Sequence, residues 1–348
     1  MRKIPVGILG ATGNVGQRFV QLLEGHPWFE VKFVCASEKS LGKRYEEIVN
    51  WKVSPRIPKD IAKLKVRLCV PDFNARVVFS ALDSSVAGPI EEEFAKKGYI
   101  VISNSKNHRM DSDVPLLIPE VNPEHLDLIN IQKTRFKGKG FIVTNPNCTT
   151  IGLTLALKPL QDAFGISRVS VVSMQALSGA GYPGVASLDA VDNVVPYIGD
   201  EEEKVETEPL KLLGSVGSGK INNAKMIISA HCNRVAVRDG HLESVTVELI
   251  KKPAIEDVVK AFKSFKGLPQ KLNLPSAPAD PIIVRTEEDR PQPVLDRDIN
   301  NGMSVSVGRI RQSAIFDIKF TLLVHNTIRG AAGAAILNAE LLKAKKLI

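Results

Sequence analysis

The chain has 348 residues, 44% of them apolar and 24% charged, which is enough for two cores rather than one. No stretch reaches the roughly 18 to 20 apolar residues of a membrane span, and this argues against a membrane protein. The formal charge of +8 comes from bases scattered among acids, with no basic run interleaved with aromatics; it does not point to nucleic acid, and it suits steering of anionic substrates.

The first residues, Met1-Arg2-Lys3 running into Ile4-Pro5-Val6, read as a buried first strand rather than a secretion signal, so a cytoplasmic location is expected. Apolar runs then predict short strands at Val6–Leu9, Val31–Cys35, Val77–Ala81, Ile100–Ser103 and Phe141–Thr144. Helical patterns fall between them, notably Val15–Leu23 and Pro89–Lys97. Short buried strands alternating with amphipathic helices imply parallel βαβ units and a Rossmann-type doubly wound α/β sheet.

After Thr150 the texture changes. Longer strands are predicted at Val169–Gln175, Arg234–Val237, Ser244–Lys251, Met303–Ile310 and Ile315–Val324. Several alternate apolar and polar residues, which predicts an α+β domain with a mostly antiparallel sheet solvated on one face. The Ala- and Leu-rich stretch 327–347 is predicted helical and free to pack back on the first domain. The expected domains are 1–147, completed by a C-terminal helix in 327–348, and a catalytic and oligomerisation domain at 148–326.

Gly10-Ala-Thr-Gly13-Asn-Val-Gly16 lies between the first strand and the first helix. Glycines there let a backbone approach a pyrophosphate, and the helix start offers free N–H groups. The spacing is GxxGxxG rather than GxGxxG, and such a turn can be purely structural; its context between strand and helix favours a dinucleotide, with Gly10, Thr12, Gly13, Asn14 and Val15 in contact. At the second strand tip, Ser37, Lys39 and Ser40 offer donors to a 2′-phosphate and so favour NADP, while Glu38 argues for NAD. Ser80 and Ala81, where another strand ends, complete this side.

The four cysteines, 35, 69, 148 and 232, show no CxxC or CxxH spacing, so no metal is expected. Any one of them is more often a small buried residue than a nucleophile. Cys148 differs, because Asn145-Pro146-Asn147-Cys148 precedes a helical segment whose dipole favours a thiolate. Neighbouring N–H groups and the Asn147 amide are candidate oxyanion donors. Among six histidines, His241 follows an arginine-bearing strand and a glycine turn and is the acid/base candidate.

Together these motifs resemble the aspartate-semialdehyde dehydrogenases, of the branch shared by archaea and fungi. The resemblance is carried by the glycine turn, Ser103 to Arg109, Val114 to Asn122, Asn145 to Cys148, Gln175 to Gly181, Arg234 to His241 and His325 to Gly333. It implies NADPH-dependent reduction of aspartyl phosphate to aspartate semialdehyde in aspartate-family amino-acid biosynthesis. It also implies a thioester on Cys148, with His241 as general acid/base and Gln175 orienting the acyl group. Arg234 would grip the substrate carboxylate and Arg109 the phosphate, with Glu208 and Lys211 as an acid–lysine pair, although Glu201 to Glu206 offers alternative positions. Ser178, Gly179, Gly181 and Asn326 would lie along the nicotinamide, and the chain would form a homodimer or homotetramer. Singly, each of these residues also has an ordinary structural reading, such as an ion pair or a turn. The alternatives are a malonyl-CoA reductase with the same cysteine and histidine, an N-acetyl-glutamyl-phosphate reductase, and a non-catalytic NADP-binding regulator.

Overall fold

The computed structural model describes residues 2–217 and 219–348. The first sheet contains β1 (Ile4–Leu9), β2 (Phe29–Ala36), β3 (Arg67–Leu68), β4 (Val77–Ser80), β5 (Ile100–Ser103) and β6 (Phe141–Thr144). Every pairing is parallel and the order is β3-β2-β1-β4-β5-β6, so the winding reverses between β1 and β4. That reversal opens a crevice at the carboxyl ends of those two strands. Helix α1 (Asn14–Leu22) covers one face through Phe19 and Val20. Helix α2 (Ser84–Lys96) covers the other through Phe94 and Ala95. It starts five residues before the predicted Pro89, because the Asp83 side chain accepts the Ser85 N–H and caps it.

Helix α3 (Cys148–Phe164) leads into the second unit. Its residues from Thr149 to Leu157 are buried all round, as expected of a helix apolar on every face. The second sheet is built from β7 (Ile166–Gln175), and beyond it come helix α4 (Glu201–Leu212) and a small hairpin of β8 (Ser215–Gly217) and β9 (Lys220–Asn222). The remaining strands are β10 (Ile227–Arg234), β11 (His241–Leu249), β12 (Ile282–Val284), β13 (Val305–Gln312) and β14 (Ile318–Val324). Helix α5 (Ile255–Ser264) packs beside α3. The sheet order is β10-β7-β11-β14-β13-β12.

The expected mostly antiparallel sheet is instead mixed. Its three central pairings are antiparallel, but both edge strands, β10 beside β7 and β12 beside β13, run parallel to their neighbours. The expected strand at Arg234–Val237 is also displaced. The ladder ends at Arg234, and the carbonyls of Val237 and Arg238 accept from Leu177 and Ser178 in the loop after β7. The true strand was masked by the small and polar residues Ser229, His231 and Asn233 on its open face.

After β14 the chain makes a π-helical turn, Ile328–Ala332, and then helix α6 (Gly333–Ala344). This helix joins the core of the first sheet, where Ile336, Leu337, Leu341 and Leu342 pack with Val6, Ile8, Phe19 and Ile100. Each such buried side chain contributes about 1.5–3 kcal/mol. Among the described residues no helix is long and apolar enough to cross a membrane.

Candidate active site

A cavity of about 1340 Å³ lies where the first sheet's crevice meets the second unit. Gly10 follows β1 with φ +75, and a Cβ there would sit 2.6 Å from the Ala81 carbonyl oxygen. A Cβ at Gly16 would lie 2.2 Å from the Gly10 oxygen. The two glycines thus allow β1, the strand end at Ala81 and α1 to converge. Gly13 caps α1 without a side chain, so first-turn N–H groups face the cavity beside Thr12, Asn14 and Val15. These features fit a dinucleotide pyrophosphate. Ser37, Glu38 and Ala81 also line the cavity; Ser40 and Ser80 do not. Ser80 is fully buried behind it.

Cys148 is the first residue of α3, and Asn147 is its cap. The Asn147 side-chain oxygen accepts from the N–H groups of Thr149 (2.9 Å) and Thr150 (3.2 Å). Its amide nitrogen donates to both Glu201 oxygens, at 3.0 and 2.8 Å. Asn147 thus caps the helix, tethers Glu201 and lines the cavity beside Cys148. The Cys148 Sγ lies 3.2 Å from His241 Nε2. His241 is fully buried at the start of β11, and its Nδ1 accepts the Ala176 N–H at 3.0 Å. Burial, then the Arg234 charge, lowers the His241 pKa to about 3. Burial and, second, Glu201 push the Cys148 thiol up to about 12, opposed by Arg109, Arg234 and Lys204.

Helix α4 supplies charge from an unusual buried face. Glu208, 2% exposed, accepts from Arg109 Nη1 (2.9 Å) and the Asn147 N–H (2.6 Å), so it fixes both groups without lining the cavity. Lys211 donates to the carbonyls of Arg109, Asp111 and Val114 at 2.7, 2.8 and 3.0 Å. All three ammonium protons hold that loop, and none is left for substrate. The acid–lysine pair that does line the cavity is Glu201 and Lys204, 2.8 Å apart. Glu201 also accepts from Gln175 Nε2 at 3.2 Å.

Arg109 and Arg234 both line the cavity. Arg109 is steered by Glu208 and the Asn104 carbonyl, and Arg234 by the Ala176 carbonyl at 2.8 Å. Gln175, Ser178, Gly179, Gly181 and Asn326 line it too. Asn326 donates to Ser178 Oγ (2.8 Å) and accepts from the Gly240 N–H (2.9 Å), so it ties β11 to the loop after β7. Two positions were missed entirely. A Cβ on Gly330, in the π-helical turn, would lie 2.8 Å from the Cys148 Cβ, and Ala176 acts only through its backbone, which no side-chain pattern signals.

Thus one cavity is lined by a glycine turn at a helix start, a thiol backed by the buried His241 imidazole, two guanidiniums and an acid–lysine pair. The family model described as "Semialdehyde dehydrogenase, NAD binding domain" matches residues 5–129, and that described as "Semialdehyde dehydrogenase, dimerisation domain" matches 157–329. The aspartate-semialdehyde dehydrogenase of Methanothermobacter thermautotrophicus is 53% identical over 343 residues, 97% of this chain and 99% of its own. The chain belongs to the aspartate-semialdehyde dehydrogenase family. Other aspartate-semialdehyde dehydrogenases, from Archaeoglobus fulgidus and Schizosaccharomyces pombe, are 55% and 50% identical, each covering 99% of both chains. The solved structure of the Candida albicans aspartate-semialdehyde dehydrogenase with NADP matches with a TM-score of 0.92 at 44% identity, over 100% of both chains.

Proposed function

We propose that this chain interconverts aspartyl phosphate and aspartate semialdehyde with NADP(H), through a thioester on Cys148, in aspartate-family amino-acid biosynthesis. The observation that carries the reading is the 3.2 Å contact of Cys148 Sγ with the buried His241 Nε2, at the wall of a cavity that Cys148, Arg109, Arg234 and the glycine turn line together.

Sulfur attacks the acyl carbon, and phosphate leaves towards Arg109 and Lys204. Dividing the reaction through a covalent intermediate replaces one hard step by easier ones. Arg234 holds the substrate carboxylate by its planar fork. Gln175 and Glu201, bonded to each other, orient the acyl and amino ends. His241 faces the sulfur and the oxygen that becomes negative. The Gly10–Gly16 turn holds the pyrophosphate, Ser37 the 2′-phosphate, and Ser178, Gly179, Gly181 and Asn326 border the nicotinamide. When bound, the nicotinamide supplies or accepts the hydride.

On this reading the dinucleotide domain spans 1–147 and 327–348, and the catalytic domain 148–326. The protein acts in the cytoplasm as a homodimer or homotetramer. The dimerisation-domain match supports the oligomer. The test is nicotinamide absorbance with aspartate semialdehyde and NADP, with and without phosphate, beside NADPH with malonyl-CoA. Phosphate-dependent NADPH formation is expected. NADPH consumption only with malonyl-CoA would move the substrate to a CoA thioester.

A further inference from the structure

Two thiols that the reaction does not use stand at the nucleotide end of the cavity. Cys35 lies near the end of β2 and is fully buried. Cys69 is the residue after β3, the edge strand of the first sheet. β2 and β3 run parallel with Cys35 opposite Arg67, so Cys69 falls two residues beyond that partner, on the same side of the sheet. Its sulfur reaches back to 4.0 Å from the Ala36 carbonyl oxygen, and the two thiols are hydrogen-bond neighbours. The pair is asymmetric. Cys69 is partly exposed and lines the cavity between Leu68 and Val70, whereas Cys35 has no exposed surface. The Cys35 thiol, opposed by burial and helped by the Gly10 N–H, holds Cys69 below the usual thiol range. Cys69 and then burial push the Cys35 thiol well up. Cys69 is therefore the member that ionises and meets solvent. Cys35 in turn holds the pyrophosphate turn, because its carbonyl accepts the N–H groups of Gly10 and Ala11, each at 3.0 Å.

We propose that Cys69 and Cys35 form a thiol-oxidation site, at which a low-molecular-weight disulfide converts the pair to an intramolecular bridge that lowers affinity for NADP(H). The proposal rests on the assignment of this cavity to NADP. The Cys69 thiolate attacks one sulfur of the small disulfide, whose S–S bond breaks, and one small thiolate leaves. Cys35 gives its proton to that thiolate and attacks the Cys69 sulfur, and the second small thiolate leaves and is protonated by water. The two protein sulfurs lose two electrons, and the small disulfide gains them as two thiols. Diagonal neighbours on an ideal flat parallel pair are about 8 Å apart at Cα, and a disulfide spans about 4.4–6.8 Å, so closure draws Cys69 inwards by roughly 1–2 Å. β3 has two residues and a single neighbouring strand, so it yields more readily than β2. Leu68 and Val70 then move with Cys69 in the wall of the nucleotide site, and the strain on Cys35 reaches the glycine turn through its carbonyl.

The experiment treats the Cys148→Ala protein with oxidised glutathione, so that oxidation of the nucleophile does not enter the readout. Peptide mapping by mass spectrometry should find Cys35 joined to Cys69, formed more slowly when NADP is present. NADPH titration by fluorescence should show Kd raised about tenfold after oxidation and restored by dithiothreitol. With Cys35→Ser added, the bridge cannot close, and Cys69 should retain glutathione as a mixed disulfide. With Cys69→Ser added, neither product should form, and NADPH affinity should be indifferent to the oxidant. Cys69 recovered as a free thiol, or glutathione carried by Cys35 in place of Cys69, would overturn the site. A bridge that leaves the NADPH Kd unchanged would overturn its control of the cofactor. If the reduced protein binds no NADPH, the nucleotide reading itself fails, while the peptide map still decides the bridge.

Discussion

Replacing Lys211 by Met separates a loop anchor from a substrate ligand. The ammonium closes three carbonyls, of Arg109, Asp111 and Val114, at 2.7 to 3.0 Å, and the residue is 4% exposed. Charged hydrogen bonds contribute roughly 1.5–3 kcal/mol each, but three on one ammonium are not additive. Removing one side of a buried charged contact costs about 3–5 kcal/mol. With an unfolding entropy of about 2.1 cal/mol/K per residue over 348 residues, a loss near 4 kcal/mol lowers Tm by about 5 °C. The freed loop carries Arg109, so KM for phosphate should rise as well. Lys204→Met is the matched control. Lys204 lines the cavity with its side chain 20% exposed, so its loss should raise KM while moving Tm by only about 1 °C. Thermal melts beside phosphate titrations provide the assay. A Lys211→Met variant with unchanged Tm and a raised KM would refute the reasoning and return Lys211 to the substrate.

Two further outcomes follow from buried groups near the site. Glu243 is fully buried with neither oxygen partnered, and burial holds its pKa well above 4.5, so the folded state keeps it neutral. A raised acid pKa stabilises below the unfolded value and loses that contribution as pH rises; the wild type should lose about 1.4 kcal/mol per unit above pH 4.5 from this group. Glu243→Gln should therefore gain in Tm over the wild type as pH rises above about 5, and a pH-independent difference would count against a neutral Glu243. At Gly179, a Cβ would lie 2.9 Å from Arg234 Nη1 and 3.1 Å from His241 Cε1. Gly179→Ala should displace the guanidinium and raise KM for aspartate semialdehyde about tenfold with little change in Tm; an unchanged KM would remove Arg234 from carboxylate binding.

Much of the first domain was legible because each element carries its own signal. The β1 and β5 runs are continuous apolar stretches, and the glycine turn sits where strand meets helix. The second sheet was harder, since parallel or antiparallel pairing at its edges depends on partners far along the chain. Cys148 and His241 stood out by local context, but their 3.2 Å approach joins residues 93 apart. Glu201 and Lys204 were concealed in an acidic run at a helix start that reads as a solvated terminus. Their burial depends on α4 lying across Asn147 and Arg109, which the α4 sequence does not announce. The i, i+7 spacing of Glu201 and Glu208, with Val205 between them and Leu212 one turn beyond, was the available clue, a charged stripe sharing the helix's buried face.

The seating of α6 in the first core has a consequence for biosynthesis. On the ribosome, β1 to β6 emerge long before residues 333–344 are made. Until α6 arrives, Val6, Ile8 and Ile100 lack part of the wall that covers them in the finished fold. The second unit, encoded in between, can complete its own sheet first. The nascent nucleotide-binding half is therefore the segment that most needs shielding by chaperones, and translation that stops short of α6 leaves it uncapped and prone to self-association.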